Sequence, residues 1–268
     1  MLLILIVIYD FINQSVKVQK LFKFAGVLTE NMDKKKYLVA MAAGHGTRMG
    51  SAVPKQFIEF EGKPILQRSI EKFITACPDI KVVTVLPKED MEGWRNFCQK
   101  YNFYYPQVLV EGGITRFHSV QNALKRIPDG AIVAIHDGVR PLLSTELIST
   151  MFDRMSDCRA LIPVLPSVDT LKMLRQVAGP SGETVLETIP DAELDRSLVY
   201  RAQTPQMFRS EDIKSAYSQA FDLSFTDDAS VAARKKIPLS YIQGEKYNIK
   251  ITTKDDLEFA KAIFSLTR

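Results

Sequence analysis

The stretch Ala42-Ala43-Gly44-His45-Gly46-Thr47-Arg48-Met49-Gly50, with Pro54-Lys55-Gln56 just beyond it, constrains the fold of this chain more than any other. It closes an apolar run from Tyr37 to Ala43 that reads as a buried strand. A glycine-rich turn leaving a strand lets backbone N–H groups meet a phosphate chain with no Cβ in the way. Two familiar loops of this kind do not match. A Walker loop requires G-x-x-x-x-G-K-[ST] and a dinucleotide fingerprint G-x-G-x-x-G, whereas here the third glycine falls one residue late. That displacement argues against a dehydrogenase. Cations at Arg48 and Lys55 add charged donors to the backbone donors, which suits charge developing on a reacting phosphate. Taken alone, the same residues also fit a surface turn with two solvated cations.

Strand and helix patterns alternate after the loop, the rhythm of a parallel sheet with crossover helices. Periodicity predicts helices over Ile65–Ala76, Asp90–Tyr101, Arg116–Lys125 and Ser144–Ser156. It predicts strands over Lys81–Leu86, Gln107–Val110, Ala131–Ile135 and Ala160–Val164. From 166 to 202 the rhythm breaks. Runs at Thr170–Leu174 and Thr184–Thr188 flank Gly179-Pro180-Ser181-Gly182, a hairpin signal. Two strands alone are marginal in water, so a second copy of the chain is the simplest thing for this arm to pack on. Beyond it, Ser210 is expected to cap a helix to Ala220 and Thr226-Asp227-Asp228 to open another. Leu239–Ile242 reads as a strand, Lys250 as the exit of a short strand, and Thr253–Phe264 as the closing helix.

The 268 residues suffice for one large α/β domain, and 46% hydrophobic with 25% charged residues is ordinary for a soluble globular protein. The net charge of +4 is mild and shows no concentrated basic stripe, so anionic small molecules are expected as partners and nucleic acid is not. Cys77, Cys98 and Cys158 are odd in number and widely spaced, which fits neither a disulfide framework nor a zinc site and points to a reducing cytoplasm. The apolar run Leu2–Tyr9 is too short to span a bilayer and lacks the flanks of a signal peptide, so stable membrane insertion is not expected. Residues 1–31 read as an extension, disordered or not translated, with Met32 the start of the domain at 32–268. A weakly amphipathic surface helix around Lys17–Phe24 is the alternative.

In an open α/β sheet, ligands bind outside the carboxyl ends of the strands, and four marked segments fall there. The glycine loop is the first. The second is Gly112-Gly113-Ile114-Thr115-Arg116-Phe117-His118-Ser119, where backbone can meet a base and Ser119 can offer its hydroxyl. The third is His136-Asp137-Gly138-Val139-Arg140-Pro141. An aspartate at that point suits a metal or a ribose hydroxyl, and Mg²⁺ on a triphosphate needs only one or two carboxylates; a turn residue is the plainer reading. The fourth is Asn248-Ile249-Lys250-Ile251-Thr252-Thr253, whose lysine alone would pass for a solvated charge. Glycine backbone, Arg, Lys and one aspartate are the inventory for attack on a nucleotide phosphate, where positioning and charge neutralisation dominate.

From about Tyr37 to Thr267 the chain resembles the 2-C-methyl-D-erythritol 4-phosphate cytidylyltransferases of the non-mevalonate isoprenoid pathway. The segments that carry the resemblance, in order, are AAGHGTRMG with PKQ, EGGITRFHSV, HDGVRP, VDT, LDR with QTPQ, FTDDAS and NIKITT. The resemblance implies a Rossmann-like nucleotidyltransferase fold, a mostly parallel central sheet flanked by helices, with an inserted β-arm at about 166–202 clasping a partner in a homodimer. It implies CTP and Mg²⁺, with a polyol phosphate attacking the α-phosphate in line and pyrophosphate leaving. By the same resemblance, Arg48 and Lys55 stabilise the transition state, and Arg196 and Lys250 hold the methylerythritol phosphate, with Arg140, Thr170 and Thr204 near it. Ala42, Ala43, Gly44, Gly46, Gly113 and Ser119 hold the nucleotide, and Asp137 stands near ribose and metal. Arg196 and Thr170 lie on the arm and so can reach the neighbouring subunit. Ile114 stands where relatives place an acidic residue, and residues 1–31 have no counterpart in the pattern. Two other readings stay open: transfer to another polyol phosphate such as ribitol 5-phosphate, and a non-catalytic nucleotide-binding homologue. Arg48, Lys55, Arg196 and Lys250 together argue against the second, since binding alone does not require them.

Overall fold

A computed structural model of the chain describes residues 34–44, 53–190 and 194–266. The expectations for residues 1–31 and for Gly46 and Arg48 lie outside these. The first strand, β1 (Lys36–Met41), leads to a short hairpin of β2 (Glu59–Phe60) and β3 (Lys63–Pro64), then α1 (Ile65–Ala76), β4 (Lys81–Leu86) and α2 (Asp90–Lys100). There follow β5 (Gln107–Glu111), α3 (Arg116–Leu124), β6 (Ile132–Asp137), α4 (Thr145–Arg154) and β7 (Ala160–Pro166). The arm carries β8 (Leu174–Ala178) and β9 (Thr184–Thr188). The chain then returns through β10 (Tyr200–Ala202), β11 (Gln206–Arg209), α5 (Ser210–Tyr217), α6 (Asp228–Arg234), β12 (Ser240–Gln243) and α7 (Lys254–Leu266). Among the described residues no helix is long and apolar enough to cross a membrane.

Side chains alternate along the central strands, so each strand feeds two cores. Leu38, Ala40, Ile132 and Ala134 face α1, α2 and α4 in one cluster. Val39, Met41, Val133 and Ile135 face α3, α5 and α6 in the other. The result is a sheet between two helical layers. β1 pairs in parallel with β4 on one side and β6 on the other, and β5 extends the sheet beyond β4. β11 runs antiparallel between β6 and β7. Leu161 and Val164 of β7 each pair with β12 and also with β11 or β10, so β10 and β11 share one edge of β7 and β12 takes the other. The chain runs outward from β1 through β4 and β5, then returns to β6 across β1. That reversal opens a crevice at the carboxyl ends of β1 and β6, where ligands bind in sheets of this kind.

The predicted α/β alternation is therefore present, with three local corrections. The first arm strand begins at Leu174, later than the expected Thr170. The turn closes through Gly179 N donating to Glu183 O at 2.7 Å, and from there the ladder pairs Ala178 with Thr184 and Leu174 with Thr188. Ser210 is the first residue of α5 and does not cap it; its Oγ accepts from Ala131 N at 3.0 Å and pins the helix to the entry of β6. Lys250 leaves no strand, since residues 244–253 are irregular. Every residue of β9 is exposed, so the arm buries little against its own chain.

Candidate active site

Three strand ends build one cavity of about 300 Å³. Residues Met41 to Gly44 at the exit of β1 line one part, Gly113 to Arg116 with Ser119 after β5 line another, and Asp137 at the end of β6 with Val139 just beyond it line the third. Lys55 and Gln56, from the segment after β1, and Lys250, from near the C-terminus, complete the lining. The structure thus brings together Ala42, Ala43, Gly44, Lys55, Gly113, Ser119, Asp137 and Lys250. Registry explains the core of this arrangement: Met41 sits opposite Asp137, and Gly138 N donates to Met41 O at 2.8 Å.

The β5–α3 turn lies tight against its surroundings. A Cβ on Gly112 would fall 2.6 Å from Ala43 Cβ, and one on Gly113 would fall 2.4 Å from His118 Cβ and 2.9 Å from the His118 carbonyl carbon. Only glycine lets this turn approach the exit of β1 so closely. Ser119 fastens it: its hydroxyl accepts from Gly113 N and donates to Thr115 O, both at 2.9 Å. The hydroxyl expected to serve a base is therefore already engaged in shaping the backbone that would meet it. Ile114 is almost fully exposed.

Lys55 opens a single 3₁₀ turn, Lys55–Phe57, that is anchored from behind. Phe57 is buried and stacks on Trp94 of α2 at 5.7 Å between ring centroids. Gln56 Nε2 donates to Asp90 Oδ2 at 3.1 Å at the start of the same helix. A buried aromatic and a buried amide thus fix the backbone from which the lysine extends.

Asp137 is the electrostatic centre. Its Oδ2 lies 3.1 Å from both Arg140 Nε and Lys250 Nζ. Burial opposes its ionisation, but Lys250, Arg116 and Arg140 overcome that and hold its carboxyl well below the usual carboxylate range. Arg140 is mostly buried and donates to Asn248 O at 2.8 Å, so it braces Asp137 from outside the cavity lining. Thr204 is also buried; its hydroxyl accepts from Asp137 N at 3.1 Å and pairs with His136 Nδ1 at 3.1 Å. The structure thus places Thr204 beneath the aspartate as a prop. Burial lowers His136 to about 4, so its imidazole is neutral near pH 7. Arg196 and Thr170 are exposed on the arm and do not line this chain's cavity.

Two features escaped the sequence reading. Arg116 lines the cavity, and its guanidinium forks onto Asp228 at 2.8 and 2.6 Å. Asp228 is fully buried and also accepts from Tyr217 Oη at 2.6 Å. Burial opposes the charge on Arg116, and Asp228 more than offsets it. The FTDDAS segment therefore does two jobs: Asp227 caps α6 in a reciprocal pair with Ser230, and Asp228 anchors a cavity arginine. The second is Asn248, which is fully buried next to Thr204. With Asp228 buried behind Arg116 and Asp137 beside Lys250, the three cations of the described lining, Lys55, Arg116 and Lys250, face two carboxylates, a balance that leaves one positive charge in excess for a phosphate.

The family profile for IspD, 2-C-methyl-D-erythritol 4-phosphate cytidylyltransferase, matches residues 37–266. The chain belongs to this family. A 2-C-methyl-D-erythritol 4-phosphate cytidylyltransferase from Azobacteroides pseudotrichonymphae is 40% identical over 231 residues, covering 86% of this chain and 99% of the relative. That from Porphyromonas gingivalis is 39% identical over 236 residues, covering 87% and 100%. Among solved structures, the 4-diphosphocytidyl-2C-methyl-D-erythritol synthase of Anaerococcus prevotii superposes with a TM-score of 0.69 at 27% identity, over 88% of this chain and 99% of that one. The Francisella tularensis 2-C-methyl-D-erythritol 4-phosphate cytidylyltransferase gives 0.65 at 30% identity, over 85% and 99%. Cytidylyltransferase structures thus share the central sheet and its helical layers.

Proposed function

We propose that this chain transfers a cytidylyl group from CTP to 2-C-methyl-D-erythritol 4-phosphate, releasing pyrophosphate. The observation that carries the reading is the meeting of Lys55, Asp137 and Lys250 at one cavity in a chain whose family membership spans residues 37–266. In the reaction, a phosphate oxygen of the polyol phosphate forms a bond to the α-phosphorus of CTP. The bond from that phosphorus to the bridging oxygen breaks, and its electron pair leaves with pyrophosphate. The incoming phosphate is already an anion, so the protein need supply no base. Its task is alignment and charge neutralisation.

The backbone of Ala42–Gly44 and of Gly112–Gly113 accepts the cytosine and ribose. Lys55 neutralises charge on the α-phosphate as it becomes five-coordinate, and the sequence resemblance alone assigns Arg48 the same role and Gly46 a contact to the nucleotide. Lys250 aligns the incoming phosphate, and Arg140 keeps Asp137 ionised and in place. The donor set fits a Mg²⁺ bound with the CTP phosphates. Among the described residues no three His, Cys, Asp or Glu side chains form a cage, so Asp137 would offer one hard oxygen and the triphosphate would have to supply the others. Held there, the ion would supply positive charge to the CTP phosphates.

The exposed arm pairs two subunits as a homodimer, and Arg196 and Thr170 complete the partner's site in the cytoplasm. Lys55→Ala is the direct test: turnover falls about 10²- to 10³-fold, the loss of one preorganised charge at the transition state. Wild-type turnover in that variant contradicts the assignment.

A further inference from the structure

Lys250 sits in an irregular segment, so no strand ladder holds its amine against Asp137. Two carboxamides do. Gln203 clamps the backbone of one residue from both sides: its Oε1 accepts from Glu245 N at 3.0 Å and its Nε2 donates to Glu245 O at 2.8 Å. Asn248 is fully buried, and its Nδ2 donates to Thr204 O at 2.9 Å. The backbone carbonyl of Asn248 receives Arg140 Nη1 at 2.8 Å, and Thr204 in turn holds the Asp137 N–H through its hydroxyl. Three residues on, Ile251 N donates to Val139 O at 2.9 Å and closes the segment on the far side of Lys250. The lysine is thus strung between two fixed points, both tied to the element that carries Asp137.

Asn248 Oδ1 finds no hydrogen-bond partner among the described residues. A buried acceptor left unpaired opposes stability, so this carboxamide is a poor choice for packing alone. Its value lies in the donor it presents to Thr204. We propose that Asn248 and Gln203 are positioning residues that fix where Lys250 meets the incoming phosphate of the polyol substrate. The inference rests on the reading of Lys250 as the cation that aligns that phosphate.

The test compares Asn248→Ala, Gln203→Ala, Lys250→Ala and the Asn248→Ala/Lys250→Ala double variant, with melting temperature recorded for each. Asn248→Ala is expected to lower kcat/KM for the polyol phosphate about 10²-fold, the usual penalty for misplacing a reacting group by about 1 Å. The KM for CTP stays at the wild-type value, because the β1 and β5 turns are untouched. Gln203→Ala moves the same parameters in the same direction and guards against a folding defect at 248. The double variant is no slower than Lys250→Ala, since Asn248 acts through that lysine. Acylation of the Lys250 amine, followed by mass spectrometry without substrate, speeds up in Asn248→Ala as the lysine leaves Asp137.

Losses that multiply in the double variant overturn the proposal, as does unchanged labelling of Lys250. If Lys250→Ala leaves the kinetics unaltered, the reading of Lys250 falls and the proposal falls with it. If Lys250→Ala is impaired while both carboxamide variants match wild type in kinetics and labelling, the proposal alone is overturned.

Discussion

Asp228→Asn probes the buried anchor of the cavity. The carboxylate is fully buried and accepts two guanidinium hydrogen bonds and one phenol hydrogen bond. Asparagine keeps the shape but removes the charge and turns one acceptor into a donor facing Arg116 or Tyr217. Breaking a buried pair from one side typically costs about 3–5 kcal/mol, because the surviving charge is stranded. The Arg116 side chain is 33% exposed and can swing partly into water, which brings the expectation to about 2–4 kcal/mol. For a chain of this length each kcal/mol moves the melting temperature by about 2–4 °C, so calorimetry should show a fall of about 4–16 °C. Removing the neighbouring cap with Asp227→Ala costs about 1 kcal/mol by comparison. Because Arg116 lines the cavity, Asp228→Asn also raises the KM for CTP. In a double-mutant cycle with Arg116→Met, the two losses are strongly non-additive. A melting point within a degree of wild type, or additive losses, would refute the view that this pair supports the cavity wall.

Gly113→Ala forces a methyl into the start of α3, where both His118 Cβ and its backbone stand closer than any contact allows; overpacking of this kind costs about 1–3 kcal/mol, and the KM for CTP rises while the KM for the polyol phosphate does not. Acid sensitivity has a named source in His136. Its folded value of about 4 lies below the ordinary value of about 6.5, so the unfolded chain binds the extra proton first, and about 3 kcal/mol present above pH 6.5 is lost as pH falls towards 4. A stability–pH profile of His136→Gln should be flatter across that window. The arm is tested by mixing Arg196→Ala with Lys250→Ala after subunit exchange. If the arm completes the partner's site, each mixed dimer holds one intact site and about a quarter of wild-type activity returns; no recovery contradicts sharing across the dimer.

Much of the scaffold is legible because it depends on local periodicity. The bounds of α1 and β4 agree with the apolar pattern at both ends, and Asp137 is readable as standing just beyond the most apolar run, although β6 itself extends through it. What resists reading depends on distant partners. Arg116 and Asp228 stand 112 positions apart, and nothing near either predicts that one will be buried beneath the other. Ser210 resembles a cap by residue type, but the nearby Ala131 N–H claims its hydroxyl. Lys250 passes for a solvated charge until the fold brings it to Asp137, and the carboxamides that hold it come from two segments with no periodic signal. Thr204 was legible as part of a motif, yet its place beneath Asp137 follows only from the pairing of β11 with β6.

The central claim is tested most directly by pyrophosphate release from CTP and Mg²⁺, with 2-C-methyl-D-erythritol 4-phosphate and ribitol 5-phosphate offered side by side. Rapid release with the first and background release with the second is the result this account predicts. Preference for ribitol 5-phosphate would leave the Lys55 chemistry standing and overturn the acceptor. Silence with both would contradict cytidylyl transfer itself.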